Sequence, residues 1–292
     1  MRITIDGASS CLAKELGNLF LKDNHNINYI TRSKSRFSDT NSQAISCFNY
    51  DETISPNPSG KSLFIQLACA TPNNTSDHSN IGPCNHEVIK NINNHLDLNH
   101  YDYLVNISTM SVYGNIAGGY ISNLSETIPR DSYGESKLLI EKTIQSYATT
   151  SKQPPKCLTL RLPGLISAKT QNIFLSKCVN RIIANEPINI PRDERFNNAT
   201  CSYDIYKTIL QWVKYSASSK LSNYVLNMHS EDTVNISDLL NFMARALSAS
   251  SPNIVINSEI KSFTIKNEEH SIIPSLSSIF DIVNPLLGSE QL

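Results

Sequence analysis

The sequence predicts an α/β fold: a doubly wound parallel sheet followed by a smaller C-terminal lobe. Two observations lead there. Through the first half of the 292-residue chain, short apolar runs alternate with amphipathic helical stretches. Strands alternating with helices imply parallel pairing and right-handed crossovers. The second half loses that regularity, which suits a separate lobe.

The elements follow in order. Ile3 to Ile5 is a strand, followed by a turn at Asp6 to Ser10. Leu12, Leu16, Leu19 and Phe20 then fall on one helical face. Ile27 to Ile30 and Ile45 to Phe48 are the second and third strands. Leu63 to Leu67 is continuously apolar, as a strand covered on both faces should be. Val88 to Leu98 is a helix, Tyr103 to Ile107 the fifth strand, Tyr133 to Tyr147 a helix, and Leu158 to Leu162 the sixth strand. Later come helices at Phe174 to Ala184 and Asp204 to Tyr215, a strand at Tyr224 to Asn227, a helix capped by Ser237 and reaching Leu247, and a strand at Ile254 to Ile256. Asn73 to Pro83 and Lys152 to Pro155 are polar or Pro-rich loops. The expected division is a dinucleotide-binding domain at 1–165, with elements near 202–230 returning to it. A substrate lobe is expected from 166–201 and 231–292.

Composition narrows the function classes. Charged residues make up 17% and the net charge is -1, so no nucleic-acid surface or polybasic membrane patch is expected. The start of the chain has no charged region followed by an apolar run, and no stretch is long and apolar enough to span a bilayer. The expected location is cytoplasmic. The seven cysteines are dispersed, form no C-x-x-C and suggest reduced thiols, mostly small core residues. The seven histidines form no ligand cluster, so no metal is expected. The Asn106 sequon lies inside an expected buried strand, where no glycan fits.

The motifs lie where a doubly wound sheet binds its ligand, at the carboxyl ends of the strands. Asp6-Gly-Ala-Ser-Ser-Cys-Leu-Ala13 links the first strand to the first helix. A helix N-terminus offers free N–H groups and a positive dipole end to a pyrophosphate. Gly7, Ser9, Ser10, Cys11 and Leu12 are the candidate contacts, although an ordinary strand-to-helix turn would carry the same residues. Arg32 and Ser33 follow the second strand with no acid beside them, a pattern that suits a 2′-phosphate or simply a solvated basic turn.

The strongest signal joins two segments, Ser108-Thr-Met-Ser-Val-Tyr-Gly114 and Tyr133-Gly-Glu-Ser-Lys137. A Tyr and a Lys four residues apart share one helical face. The phenol, with a free pKa of roughly 10, is expected to be lowered by the neighbouring ammonium. Thr109 can hold a substrate oxygen against it.

On these residues the chain resembles the extended short-chain dehydrogenases/reductases, of the NAD-dependent epimerase/dehydratase type that acts on nucleotide sugars. Gly7, Ser10 and Ala13 fall on that family's glycine positions. Leu67-Ala-Cys-Ala70 resembles its run lining the cofactor, and Asn85 an Asn opening the next helix. Arg161-Leu-Pro-Gly-Leu165 resembles the stretch closing over the nicotinamide, and Asn198 to Asp204 a segment usually ending in V-D-D.

The resemblance implies a Rossmann-type fold with Thr109, Tyr133 and Lys137 as catalytic residues. It implies cofactor contacts from the loop at 7–12, Arg32, Ser33, Leu67, Ala68, Cys69, Ser108, Tyr133, Lys137, Pro163 and Leu165. Substrate contacts would come from Thr109, Met110, Ser111, Arg192 and Arg195. The expected cofactor is NADP, with NAD as the alternative, and the expected partner a nucleotide sugar bound by a homodimer. The expected activity is reduction of a keto-sugar. The alternatives are a nucleotide-sugar epimerase that retains NAD, and a non-catalytic dinucleotide sensor in which the glycine-poor loop binds without turnover.

Overall fold

The computed structural model describes residues 1–32, 45–55, 60–71, 80–114, 118–167, 173–192, 194–260, 262–268 and 273–287. The chain runs β1 (Arg2–Ile5), α1 (Cys11–Lys22), β2 (Asn26–Ile30), β3 (Ile45–Phe48), β4 (Ser62–Gln66), α2 (Ile81–Leu98) and β5 (Tyr103–Thr109). It continues with β6 (Gly119–Ile121), α3 (Ser132–Thr150), β7 (Lys156–Leu162), β8 (Gly164–Ile166), α4 (Phe174–Ile183), β9 (Ile188–Pro191), β10 (Arg195–Phe196) and β11 (Ala199–Cys201). It ends with α5 (Ser202–Ser216), β12 (Asn223–Asn227), β13 (Val234–Asn235), α6 (Ile236–Ala246), β14 (Ile254–Asn257), β15 (Phe263–Ile265) and α7 (Ile279–Leu287). None of the described helices is long and apolar enough to cross a membrane.

Contacts divide the chain into two compact units. The first comprises Met1–Gly114, Thr127–Arg161 and Tyr206–Leu226. It is built on a seven-stranded sheet in the order β12-β7-β5-β4-β1-β2-β3. The fold is the doubly wound parallel α/β sheet the alternation predicts. Every residue of β4 is buried, and so are the first six of β5, which suits their apolar stretches Leu63–Ile65 and Tyr103–Val105; the run expected to be apolar to Leu67 contains Gln66, which is buried with it. On one face, α2 and α3 enclose Ile30, Phe64, Leu104, Ile140 and Ile144. In a second layer Phe20 of α1 meets Tyr206 of α5 edge-on at 5.0 Å, and buried Trp212 of α5 meets Tyr103 at 5.7 Å. Asn106 is fully buried in β5, which closes its sequon to glycosylation.

The second unit comprises Asn115–Glu126, Leu162–Ile205 and Asn227–Leu292. It has four two-stranded pairings, β8 with β11, β9 with β14, β6 with β15 and β10 with β13. Its core is formed by α4, α6 and α7 through residues such as Ile182, Leu239, Leu240, Met243, Ile282 and Val283. Asp204 and Asp232 hold the start of α7. Asp204 accepts from the Ser277 N–H at 3.0 Å, and Asp232 from the Ile279 N–H at 2.7 Å.

Several expectations need correction. The helix after β4 begins at Ile81, not Val88, because Pro83 sits in its first turn, where a missing N–H costs nothing. Residues 73–79 of the expected loop lie outside the described residues. The cap of α6 is Asn235, whose side chain accepts from the Ser237 and Asp238 N–H groups, while the Ser237 hydroxyl donates to Glu194. Of the seven cysteines only Cys157 and Cys178 are buried, and Cys11 and Cys84 are exposed.

Candidate functional site

The site in the first unit is built at the carboxyl ends of β1, β4 and β5. Gly7 leaves β1 with φ +63°, and a Cβ there would lie 2.9 Å from the Ala68 backbone nitrogen. The residue must therefore be glycine for the turn after β1 to lie against the turn after β4. Asp6 secures the same junction: its carboxylate accepts the Leu67 N–H and, at 2.8 Å, the Ala68 N–H.

Ser10, standing at a glycine position, is the N-cap of α1 and accepts the Ala13 N–H at 3.1 Å. Ser9, Ser10 and Cys11 are exposed, Leu12 is buried, and Ala13 is wholly buried. A helix N-terminus fronted by the exposed Ser9, Ser10 and Cys11 could accept an anion such as a diphosphate, whereas the Leu12 side chain is buried.

Thr109 ends β5 and caps the 3₁₀ turn Met110–Tyr113, accepting the Ser111 N–H at 3.2 Å. Asp131 caps α3 by accepting the Gly134 N–H at 2.7 Å. Gly134 then lets α3 approach that turn, since a Cβ would come within 2.7 Å of the Ser111 carbonyl oxygen. The result is a half-buried Tyr133 hydrogen-bonded to Thr109. Lys137, one helical turn on, is 4% exposed and donates to the Ile107 carbonyl at 2.8 Å.

The expectation that this ammonium lowers the phenol needs correction. Burial pushes Tyr133 upward, with smaller upward contributions from the neighbouring Cys69 and Asp131, and only the Thr109 hydrogen bond draws it down. The ammonium is occupied with the Ile107 carbonyl. It also faces Asp6 and Cys69. The Cys69 thiol is itself raised by burial, against the pull of Lys137 and Asn85.

Thr109, Tyr133, Lys137, Cys69 and Asp6 are thus brought together. Leu67 and Ala68 line the junction beside them, half-buried. Asn85 pins the turn after β4, accepting the Ala70 N–H at 2.7 Å and donating to its carbonyl at 3.2 Å. Arg32 is exposed after β2 and faces Tyr50, whose hydroxyl donates to Asp6 at 3.4 Å. Ser33 lies outside the described residues.

Ser108 is 3% exposed and its hydroxyl donates to Glu141. That carboxylate also takes the Arg161 guanidinium at 2.8 and 3.1 Å. Arg161 in turn donates to the Tyr113 hydroxyl at 2.7 Å and lies 4.8 Å from its ring. The sequence reading missed Glu141, although it extends the Tyr133–Lys137 line by one more i+4 step. A carboxylate so close to the apolar stripe of Ile140 and Ile144 was the available signal. Asp6 and Tyr50 were missed too.

Pro163, Leu165, Met110, Ser111, Arg192 and Arg195 complete the expected set. Met110 is buried and Ser111 half-buried in the turn after Thr109. The other four belong to the second unit, where Pro163 and Leu165 are half-buried. That unit holds a cavity of about 410 Å³ whose lining includes Phe174, Phe196, Phe263, Glu194 and Arg195. Arg192 is exposed and is not part of its wall. Among the described residues no group of three His, Cys, Asp or Glu could hold a metal ion.

A doubly wound sheet with an open helix N-terminus at its carboxyl edge places the chain among the Rossmann-type α/β proteins. Residues 80–271 match the RmlD substrate binding domain, and the chain belongs to that family, within the extended short-chain dehydrogenases/reductases of the NAD-dependent epimerase/dehydratase type. No curated protein matches the sequence. Among solved structures, the chain resembles UDP-glucuronic acid 4-epimerase from Bacillus cereus in complex with NAD, at 16% identity and a TM-score of 0.71, covering 98% of this chain and 94% of that one. It resembles a UDP-galactose 4-epimerase at 15% identity and a TM-score of 0.71, covering 99% and 98%. MoeE5 in complex with UDP-glucose and NAD is similar at 16% identity and a TM-score of 0.70, covering 98% and 97%.

Proposed function

We propose that this protein is an NADPH-dependent reductase of a keto group on a nucleotide-linked deoxysugar. The observation that carries the reading is the cluster of Thr109, Tyr133 and Lys137 at the end of β5. A bound reduced nicotinamide supplies the hydride. Thr109 positions the carbonyl oxygen, Tyr133 gives that oxygen its proton, and Lys137 holds the nicotinamide ribose. Arg192 and Arg195 are the residues proposed to meet the diphosphate of the substrate.

The residues after Thr109 argue against elimination of water from a sugar. Dehydration needs a further acid and base beside the catalytic hydroxyl, and Met110 has no proton to exchange. The test supplies 4-keto-6-deoxy nucleotide sugars with NADPH and follows loss of reduced-nicotinamide absorbance together with the sugar product. Stoichiometric NADPH consumption is the expected result. Sugar inversion without net consumption would establish the epimerase reading instead, which the NAD-bound epimerase structures favour. Dehydration of a 4,6-diol sugar would refute the reductase.

Cofactor choice rests on Arg32, exposed after β2 in the sequence Thr31-Arg-Ser-Lys34, which contains no acid. A charge-assisted bond to the 2′-phosphate contributes roughly 1.5–3 kcal/mol, about tenfold or more in affinity. Arg32→Ala is expected to lose that factor for NADPH and to leave NADH nearly unchanged. Equal affinities of the wild type for the two cofactors would contradict this.

A further inference from the structure

Asp6 immediately precedes the loop that would hold the diphosphate, and its side chain is wholly buried. It is the end of a polar row that spans three neighbouring strands of the sheet. Ile5 pairs with Ile65, and Gln66, the next residue, pairs with Asn106. Asp6, Gln66 and Asn106 therefore lie side by side at the ends of β1, β4 and β5 and point to one face. All three are fully buried.

The groups facing Asp6 come from every element around it. Lys137 of α3 is the cation; Tyr50 after β3 donates its hydroxyl; Cys69 after β4 and Tyr101 after α2 also feel its charge. Arg32 after β2 faces Tyr50 in turn. The cation is already tied to the Ile107 carbonyl, and the Asp6 carboxylate is held by two backbone N–H groups that fix the loop after β4.

We propose that Asp6 is a positioning residue of the dinucleotide site whose negative charge opposes the diphosphate, so that NAD(P) affinity falls as Asp6 loses its proton. This rests on the function proposed above. Burial pushes Asp6 up to about 6, against the pull of the Leu67 and Ala68 N–H groups, Lys137 and Tyr50, so it changes charge in the range where the protein is assayed. A second negative charge beside a carboxylate favours its protonated form. Binding then takes up a proton, and by linkage affinity is highest where Asp6 is neutral and declines as pH rises through its titration.

The experiment measures Kd for NAD⁺ and NADP⁺ by calorimetry between about pH 5 and 8, a range bracketing that titration, on the wild type, Asp6→Asn and Tyr50→Phe. An asparagine still accepts both backbone N–H groups and carries no charge. A displacement of half to one pKa unit corresponds to roughly a three- to tenfold weakening across the window. The ratio of wild-type to Asp6→Asn Kd removes any titration of the ligand itself, and it should rise by that factor from the acid to the alkaline end. Tyr50→Phe removes a donor that stabilises the carboxylate, so the midpoint of the decline should move to higher pH. If Asp6→Asn does not fold, that midpoint decides, and an unmoved one overturns the proposal. A constant ratio for Asp6→Asn overturns it while leaving the reductase reading intact. A wild type that binds neither nucleotide at any pH overturns both.

Discussion

Tyr133→Phe should reduce turnover by about 10²–10⁴, the usual loss when a general acid is removed. Dinucleotide affinity should stay within about fivefold, the equivalent of one neutral hydrogen bond of about 1 kcal/mol, since the phenol's own hydrogen bond is with Thr109. The expected direction of chemistry follows from the environment of the phenol. Burial raises it above the ordinary tyrosine value of roughly 10. It therefore keeps its proton throughout the neutral range and is loaded as a donor for carbonyl reduction. The sign is definite: a raised phenol removes the proton donor only at high pH, so Tyr133 itself should impose no decline in the reductive rate below about pH 10. Single-turnover reduction with excess NADPH, measured across pH in wild type and variant, separates this step from product release. Lys137→Ala should behave differently, weakening cofactor binding as well as turnover, because its ammonium is also the group proposed to hold the nicotinamide ribose. A Tyr133→Phe enzyme that kept most of its rate on an identified keto-sugar would eliminate the proposed mechanism.

The sheet was readable because its strands are buried on both faces. Leu63-Phe-Ile and Tyr103-Leu-Val carry no polar alternation, and each stands between amphipathic helices. The second unit was read less completely because its strands are two to four residues long, too short for a period to register. Helix α7 escaped for another reason. Pro285 interrupts its pattern, and its start is fixed by Asp204 and Asp232, more than forty residues away in the sequence.

In the site, Tyr133 and Lys137 were legible from local spacing alone, since four residues on a helix is a geometric statement. What Lys137 does with its ammonium was not, because the Ile107 carbonyl and Asp6 reach it from other strands. Ser108 shows the same limit. Its place beside Thr109 suggested a cofactor contact, whereas its hydroxyl is committed to a carboxylate from α3. Such pairings depend on the order β4-β5-β7, which local sequence pattern does not encode.

Glu141→Ala should destabilise the protein by about 3–5 kcal/mol, the range for removing one partner of a buried ion pair. Both side chains qualify: Glu141 is 1% exposed and Arg161 is 6% exposed. The truncation strands the guanidinium with only the Tyr113 hydroxyl and ring, and it releases the Ser108 hydroxyl. Against a typical total of roughly 5–15 kcal/mol, that loss is large enough to be read directly as a lower urea midpoint. The cost belongs to the orphaned charge and not to the pair's intrinsic strength, since taking two ions out of water consumes most of their mutual attraction. Glu141→Leu combined with Arg161→Met should therefore be less destabilising than the sum of the single changes, by roughly 0.5–3 kcal/mol. The network also lies directly behind Thr109, through its neighbour Ser108. Glu141→Ala is accordingly expected to lower kcat at temperatures where it remains folded. Ser108→Ala, which removes only the hydroxyl, should cost about 1 kcal/mol in stability, because Glu141 Oε1 still accepts from Arg161 Nε. A loss below about 1 kcal/mol for Glu141→Ala would place the pair among solvent-screened bridges, and the buried network would then not be what fastens β5, α3 and β7 together.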